Sequence, residues 1–387
     1  MTGRPRAACR ILFGLSITVS LLQPSPPAQA APTPDGLNLI RDDQWHLAYL
    51  RALDAQKISR GSGVTVAVPD TGVDKHPDLQ RNLLSGSDIA SGGTGDGRVD
   101  TSSHGTGMAG LIAAHGRGGD SGALGIAPAS HILPIRIQVL DEQGDSDNLA
   151  SAIEYASTRG ADIISVASVS GPSPNLQRAV EAATRADILI VAAAGNRPRD
   201  HHVSFPASYP GVIAVGGIDR GGNHAEISVT GPEIDVVAPA VDIYSTSING
   251  KYRKGTGTSD ATAIVAGAAA LIRSKYPYLP AQEVAHRLTA TAIDKGPPGR
   301  DDEYGYGVID LVAALTADVP PLGFESVSAP AATGSTAAAG DRPGEGGDGA
   351  TARGLATLAV IVAVGVGWAL VARRRRRGDD PPPRISR

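Results

Sequence analysis

NLQRAVEAATRADILIVAAAGN, residues 175–196, changes character in its middle. Residues 175–186 form an Ala-rich run that reads as a helix. ILIVAAAG, residues 188–195, is apolar on both faces, as a strand of a parallel sheet covered on both sides must be. Working outward, the same alternation recurs. GVTVAVPD (63–70), HILPIRIQV (131–139), DIISVASV (162–169) and VIAVGGI (212–218) read as further strands, and LASAIEYASTRG (149–160) as a helix that ends just before the next strand. That is the βαβ pattern, and it predicts an α/β domain with a mostly parallel central sheet flanked by helices in three layers. Ligand sites in such folds gather at the carboxyl ends of the strands. Polar residues at those ends therefore carry most weight, and Asn196 closes the quoted stretch at such a place.

The two ends of the 387-residue chain read differently from its middle. Arg4, Arg6 and Arg10, then an apolar run over 11–22, then Ala28-Gln29-Ala30 have the form of a secretory signal peptide over 1–30. Near the other end, LATLAVIVAVGVGWALVA, residues 355–372, carries no charge. As a helix it would rise about 27 Å, close to a bilayer core, so a transmembrane helix is expected there. Five arginines follow at 373–377, and basic residues after a span mark the cytoplasmic side. The expected organisation is a signal peptide (1–30), an N-terminal lead-in (31–59), a folded domain (60–316), a Pro/Gly/Ala-rich stalk (317–354), a single span (355–372) and a basic cytoplasmic tail (373–387). The folded domain would then sit outside the cell, held to the cell membrane.

Between the signal and the span lie 25 basic and 37 acidic residues, a net charge of −12. Such a balance argues against nucleic acid as a partner. The only cysteine is Cys9, within the signal, so the mature chain has neither a disulfide nor thiol chemistry. No cofactor motif occurs. The aspartates of DIASGGTGDGRVD (88–100) lack the spacing of a calcium loop and read as a turn-rich surface loop, so no metal site is expected.

Four segments place polar groups where chemistry could occur: VAVPDTGVD with Asp70, SSHGTGMAGLIAAH with His104, IVAAAGN with Asn196, and GTSDATAIVAG with Ser259. Each alone has a structural explanation, since Asp and Asn favour turns and Ser259 could simply cap a helix. Together they supply a nucleophile, a base, a carboxylate to orient the base and a donor for an oxyanion. The order Asp, His, Ser is one of those in which such triads occur.

DTGVD (70–74), HGTGMAG (104–110), AAAGN (192–196) and GTSDATAIVAG (257–267) resemble, in order, the Asp, His, oxyanion-Asn and Ser motifs of the subtilisin-like serine proteases, or subtilases. The resemblance covers about residues 60–316. It implies the subtilisin-like fold and serine endopeptidase activity on a protein or peptide substrate. It also implies Asp70 as orienting carboxylate, His104 as general base and acid, Ser259 as nucleophile, and Asn196 with the Ser259 N–H as oxyanion donors. The layout of signal, stalk, single span and basic tail, with EYGYGVIDLVAALT (303–316), is further similar to the mycosins. These are membrane-anchored subtilases associated with type VII secretion, so a secretion complex is an implied partner.

The chain departs from the family pattern in four places. Ala263 stands where proline is usual. Pro69 precedes the aspartate and is expected to fray the first strand. Gly107 replaces a histidine and is expected only to open space beside the helix. SVASVSGP (165–172) departs from the usual cleft-rim pattern, with its register open. Arg197, Arg199, His201 and His202 follow Asn196 and read either as positive charge near the substrate or as a solvated loop. Two other functions stay open: a catalytically silent, membrane-tethered scaffold on the same fold, and an esterase with the same triad.

Overall fold

The computed structural model describes residues 40–91, 94–118, 120–137, 139–140 and 143–323. The expected signal peptide, most of the stalk, the span at 355–372 and the tail lie outside the described residues. Among the described residues no helix is long and apolar enough to cross a membrane.

Seven strands form the central sheet: β1 (Thr65–Asp70), β2 (Ser87–Asp88), β3 (His131–Arg136), β4 (Ile163–Val166), β5 (Leu189–Ala193), β6 (Val212–Ile218) and β7 (Val236–Pro239). Their order is β2-β3-β1-β4-β5-β6-β7, and every neighbouring pair is parallel. All residues of β4, β5, β6 and β7 are buried, so both faces of the sheet are covered, as their unbroken apolar runs require. A hairpin of β8 (Ile243–Thr246) and β9 (Tyr252–Gly255) stands apart from this sheet.

The strands are accompanied by α1 (Trp45–Tyr49), α2 (Ala52–Ile58), α3 (His104–Ala113), α4 (Ser146–Thr158), α5 (Pro174–Arg185), α6 (Thr258–Lys275), α7 (Ala281–Ala290) and α8 (Leu311–Thr316). Helices α4 and α5 pack on each other and on the sheet, and α3 and α6 do likewise. Asp145 and Ser173 cap α4 and α5, each accepting two first-turn N–H groups. Helix α6 is buried from Thr258 to Arg273. It can be, because small residues fill it: a Cβ on Gly267 would come within 2.7 Å of the Ile126 Cβ.

Residues 44–59, read as a lead-in, are bonded into this body. Gln44 exchanges two hydrogen bonds with the Leu124 backbone. The Trp45 indole donates to Val241 O, Gln56 to Gly125 O and Ile126 O, and the Ser59 hydroxyl to Leu271 O.

The chain runs from β1 out to β3 on one side and returns to β4 on the other. The strand order therefore reverses at β1, the position where open α/β sheets form a crevice beyond the carboxyl ends of their strands. Asp70 is the last residue of β1. Pro69 does not fray that strand on its β3 side, where pairing continues through Pro69↔Ile135 and Asp70↔Arg136. Ile137 N–H donates to Asp70 O. Backbone groups alternate sides along a strand, so Pro69 turns its missing N–H toward β4, where pairing with β1 has already ended at Ala67↔Ile164.

Candidate active site

Asp70 is fully buried at the crevice floor. Thr71 N–H donates to its Oδ1 at 2.7 Å. His104 Nδ1 lies 2.8 Å from Oδ1 and 3.0 Å from Oδ2. A carboxylate only accepts, so Nδ1 carries the proton in the neutral ring and Nε2 presents a lone pair. Burial alone would lower the affinity of this imidazole for a second proton. The charge of Asp70 and its hydrogen bond outweigh that effect, and the His104 pKa is raised above the ordinary value of 6.5. The His104 side chain stays 11 % exposed. Its Nε2 has no hydrogen-bond partner among the described residues.

His104 opens α3 behind Ser103, whose φ of 73° is left-handed and whose side chain caps nothing. Asp100 supplies the cap instead. Its Oδ1 accepts from the Thr71 hydroxyl (2.8 Å), Ser102 N–H (2.8 Å) and Ser103 N–H (3.1 Å). Its Oδ2 accepts from Thr106 N–H (3.0 Å) and the Thr106 hydroxyl (2.6 Å). Thr71 in turn accepts Gly105 N–H at 3.0 Å, linking the end of β1 to the start of α3. A Cβ on Gly105 would lie 2.1 Å from Gly72 O, so only glycine allows β1 and α3 to approach this closely. In the sequence Asp100 closes the 88–100 run, which reads as a turn-rich surface loop. An Asp four residues before the histidine is the signal that could have singled it out.

Ser259 is the second residue of α6, whose N-cap is Gly257, so it is not itself the cap. The first-turn N–H groups of a helix lack carbonyl partners within the helix and point toward the positive end of its dipole. Asn196 faces this end from just beyond β5. Its Oδ1 accepts from Thr258 N–H at 2.9 Å and from the Thr258 hydroxyl at 3.1 Å. A backbone N–H can only donate, so this contact identifies the amide oxygen and turns Nδ2 the other way. A Cβ on Gly257 would lie 3.1 Å from both Asn196 Nδ2 and Ser259 Oγ. The amide and the hydroxyl therefore border one small space that a side chain at 257 would fill. Asn196 N–H donates to Asp200 Oδ2 at 2.7 Å, and Arg199 pairs with that carboxylate at 3.0 Å. The loop after Asn196 is exposed at Arg197, His201 and His202, and Arg197 reaches the Thr230 hydroxyl.

The space beside Gly107 is not left open, contrary to the sequence expectation. The Arg253 guanidinium fills it: a Cβ on Gly107 would lie 2.5 Å from Arg253 Nη1. In the 165–172 segment, β4 ends at Val166, and Ser170 then pairs with Phe205 in an antiparallel bridge. The aspartates of 88–100 meet protein partners: Asp88 pairs with Arg136 at 2.8 Å, and Asp96 Oδ1 accepts Arg98 N–H. Among the described residues no cluster of His, Cys, Asp and Glu could hold a metal ion.

A hydroxyl, an imidazole oriented by a buried carboxylate, and an amide donor near a helix N-terminus suit acyl transfer. The subtilase family model matches residues 61–307 of this chain. The chain belongs to the subtilase family. It is thus a subtilisin-family serine endopeptidase. This subtilase is 38 % identical to Subtilisin DY of Bacillus licheniformis over 291 residues, covering 74 % of this chain and 99 % of that protein. Among solved structures it resembles MycP1 with the N-terminal propeptide removed (TM-score 0.65, 31 % identity, 71 % of this chain and 98 % of that one). It also resembles the MycP3 protease from the type VII (ESX-3) secretion system (TM-score 0.62, 32 % identity, 71 % and 88 %). Its structural neighbours are thus mycosins.

Proposed function

We propose that this subtilase is a mycosin-like endopeptidase on the outer face of the cell membrane, acting through Asp70, His104 and Ser259 and linked to type VII secretion. The observation that carries the catalytic part is the 2.8 Å bond from His104 Nδ1 to Asp70. It leaves Nε2 as the acceptor for the Ser259 proton. Ser259 Oγ attacks the scissile carbonyl while Nε2 takes its proton. The oxyanion receives hydrogen bonds from Asn196 Nδ2 and Ser259 N–H. His104 then protonates the leaving amine and the acyl-enzyme forms. Water attacks it by the same route and restores the serine. No hydrogen bond closes Ser259 onto His104 in this structure. Such contacts tighten when substrate occupies the site.

The secretion link is supported by the mycosin neighbours. The anchoring and orientation are supported by the uncharged run at 355–372 followed by Arg373–Arg377. The test is fluorophosphonate labelling of the full chain in detergent, with the labelled residue mapped by mass spectrometry. Label on Ser259 that vanishes in Ser259→Ala and His104→Ala is expected. A folded wild-type chain that takes no label would refute the catalytic reading and leave a scaffold. For orientation, protease added outside intact cells should release the domain near the stalk; a protected domain refutes that orientation.

A further inference from the structure

Arg253 on β9 lies between the helix that carries the base and the helix that carries the nucleophile. Two glycines make room for it. A Cβ on Gly107 would lie 2.5 Å from Nη1 and 2.8 Å from Cδ, and a Cβ on Gly255 would lie 2.6 Å from Nη2. Gly107 is three residues beyond His104, on the same side of α3. Arg253 Nη1 is 3.7 Å from Asp260 Oδ1, and Asp260 directly follows Ser259. The Asp260 side chain is 1 % exposed and that of Arg253 21 %. A carboxylate buried to that extent costs several kcal/mol unless a cation and hydrogen bonds compensate it. Substituting either glycine would displace the guanidinium.

We propose that Arg253 and Asp260 are positioning residues that act through the triad, a charge-balanced pair that holds α3 against α6 and cancels the field of either charge at His104. The proposal rests on the catalytic reading above. The charged groups facing His104 come from three elements: Asp70 from β1, Arg253 from β9 and Asp260 from α6. The Asp70 charge favours the imidazolium, Arg253 disfavours it and Asp260 favours it. Two further carboxylates lie beside α3: Asp100, and Asp74, whose N–H donates to the Thr106 hydroxyl and whose Oδ2 accepts Asn249 N–H. Ser245 and Thr246 of β8 donate their hydroxyls to Gly107 O and Thr106 O. Arg136 at the end of β3 is turned to Asp88, and Asp100 is engaged by five donors on and around α3. Helix α3 has no titratable side chain other than His104.

The two halves of the pair thus push His104 in opposite directions, which a packing role alone would not do. The experiment uses the full chain in detergent and reads the rate of fluorophosphonate labelling at Ser259 between pH 5 and 9. Wild type is compared with Arg253→Gln, Arg253→Lys, Asp260→Asn and the Arg253→Gln/Asp260→Asn double variant. Labelling needs neutral His104. Removing the cation should move the acid limb up by roughly half to one pH unit, and removing the anion should move it down by a similar amount. The double variant and Arg253→Lys should lie within a few tenths of a unit of wild type. Should Asp260→Asn fail to fold, the contrast between Arg253→Gln and Arg253→Lys decides, because both keep the buried anion. An Arg253→Gln limb that stays at the wild-type position or moves down overturns the proposal while the triad reading stands. An unlabelled wild type overturns both.

Discussion

Replacing His46 by leucine should make folding less sensitive to acid, for a reason unrelated to catalysis. His46 lies in α1, is fully buried, and neither ring nitrogen has a hydrogen-bond partner among the described residues. Burial alone pushes its pKa from 6.5 down to about 3, because nothing nearby stabilises the imidazolium. The folded state therefore needs the neutral ring, whereas the unfolded chain binds a proton below about pH 6.5. Stability from this site is fully present above pH 6.5 and is lost as the pH falls from 6.5 toward 3. With those two values the loss is roughly 2 kcal/mol at pH 5 and roughly 3 kcal/mol at pH 4. His46→Leu removes two buried polar atoms at similar size, so at pH 7 it should be neutral or mildly stabilising. Burial also lowers the pKa of His76, His115 and His224, and their contributions are common to both proteins. Urea unfolding at pH 7 and pH 5, in a Ser259→Ala background that prevents autolysis, isolates His46 as a difference of differences. The variant should lose about 2 kcal/mol less than its parent between the two pH values. Equal losses in both would show that His46 gains water or a partner in solution, and the argument from its burial would fall.

Three further outcomes are expected. Asn196→Ala deprives the Thr258 N–H and hydroxyl of their acceptor, so it should lower stability by about 1–3 kcal/mol while the chain still folds, and it should lower turnover by roughly a hundred- to a thousandfold, read with a peptide substrate; an unchanged rate removes Asn196 from the site. The raised pKa of His104 places the acid limb of kcat/KM above pH 6.5, since activity needs the neutral imidazole and is lost as the pH falls through that value. A limb centred below 6.5 would contradict the dominance of Asp70 over burial. Asp100→Asn puts an amide against five donors, so thermal unfolding should show a loss of about 2–3 kcal/mol, with a fall in Ser259 labelling because the start of α3 loosens. A variant as stable as wild type would mean that water replaces those bonds.

The alternation of apolar strands and Ala-rich helices was enough to predict a covered parallel sheet, because the covering of each face imprints a local period on the chain. β6 matches the expected range at both ends, and the other four expected strands are shorter by two to four residues, since pairing rather than composition decides where a strand stops. Asp70, His104, Asn196 and Ser259 stand out in the sequence as candidates for a related reason. Each sits where a regular element begins or ends, next to glycines that the backbone geometry needs. The supports of that site were not legible. Asp100 reads as one acidic residue of a turn-rich loop, and only folding shows that it caps α3 in place of Ser103. Gly107 reads as an omission until β9, some 145 residues further along, delivers Arg253 into the gap. Pro69 reads as a strand breaker until the register turns its missing N–H away from β3. In each case the deciding partner is remote in sequence, so no local pattern encodes it. The sequence by itself determined the covered parallel sheet and marked out Asp70, His104, Asn196 and Ser259 as candidates for the chemistry. Only the tertiary structure decided which charges surround them, because a charge acts across a few ångströms of space whatever the distance along the chain.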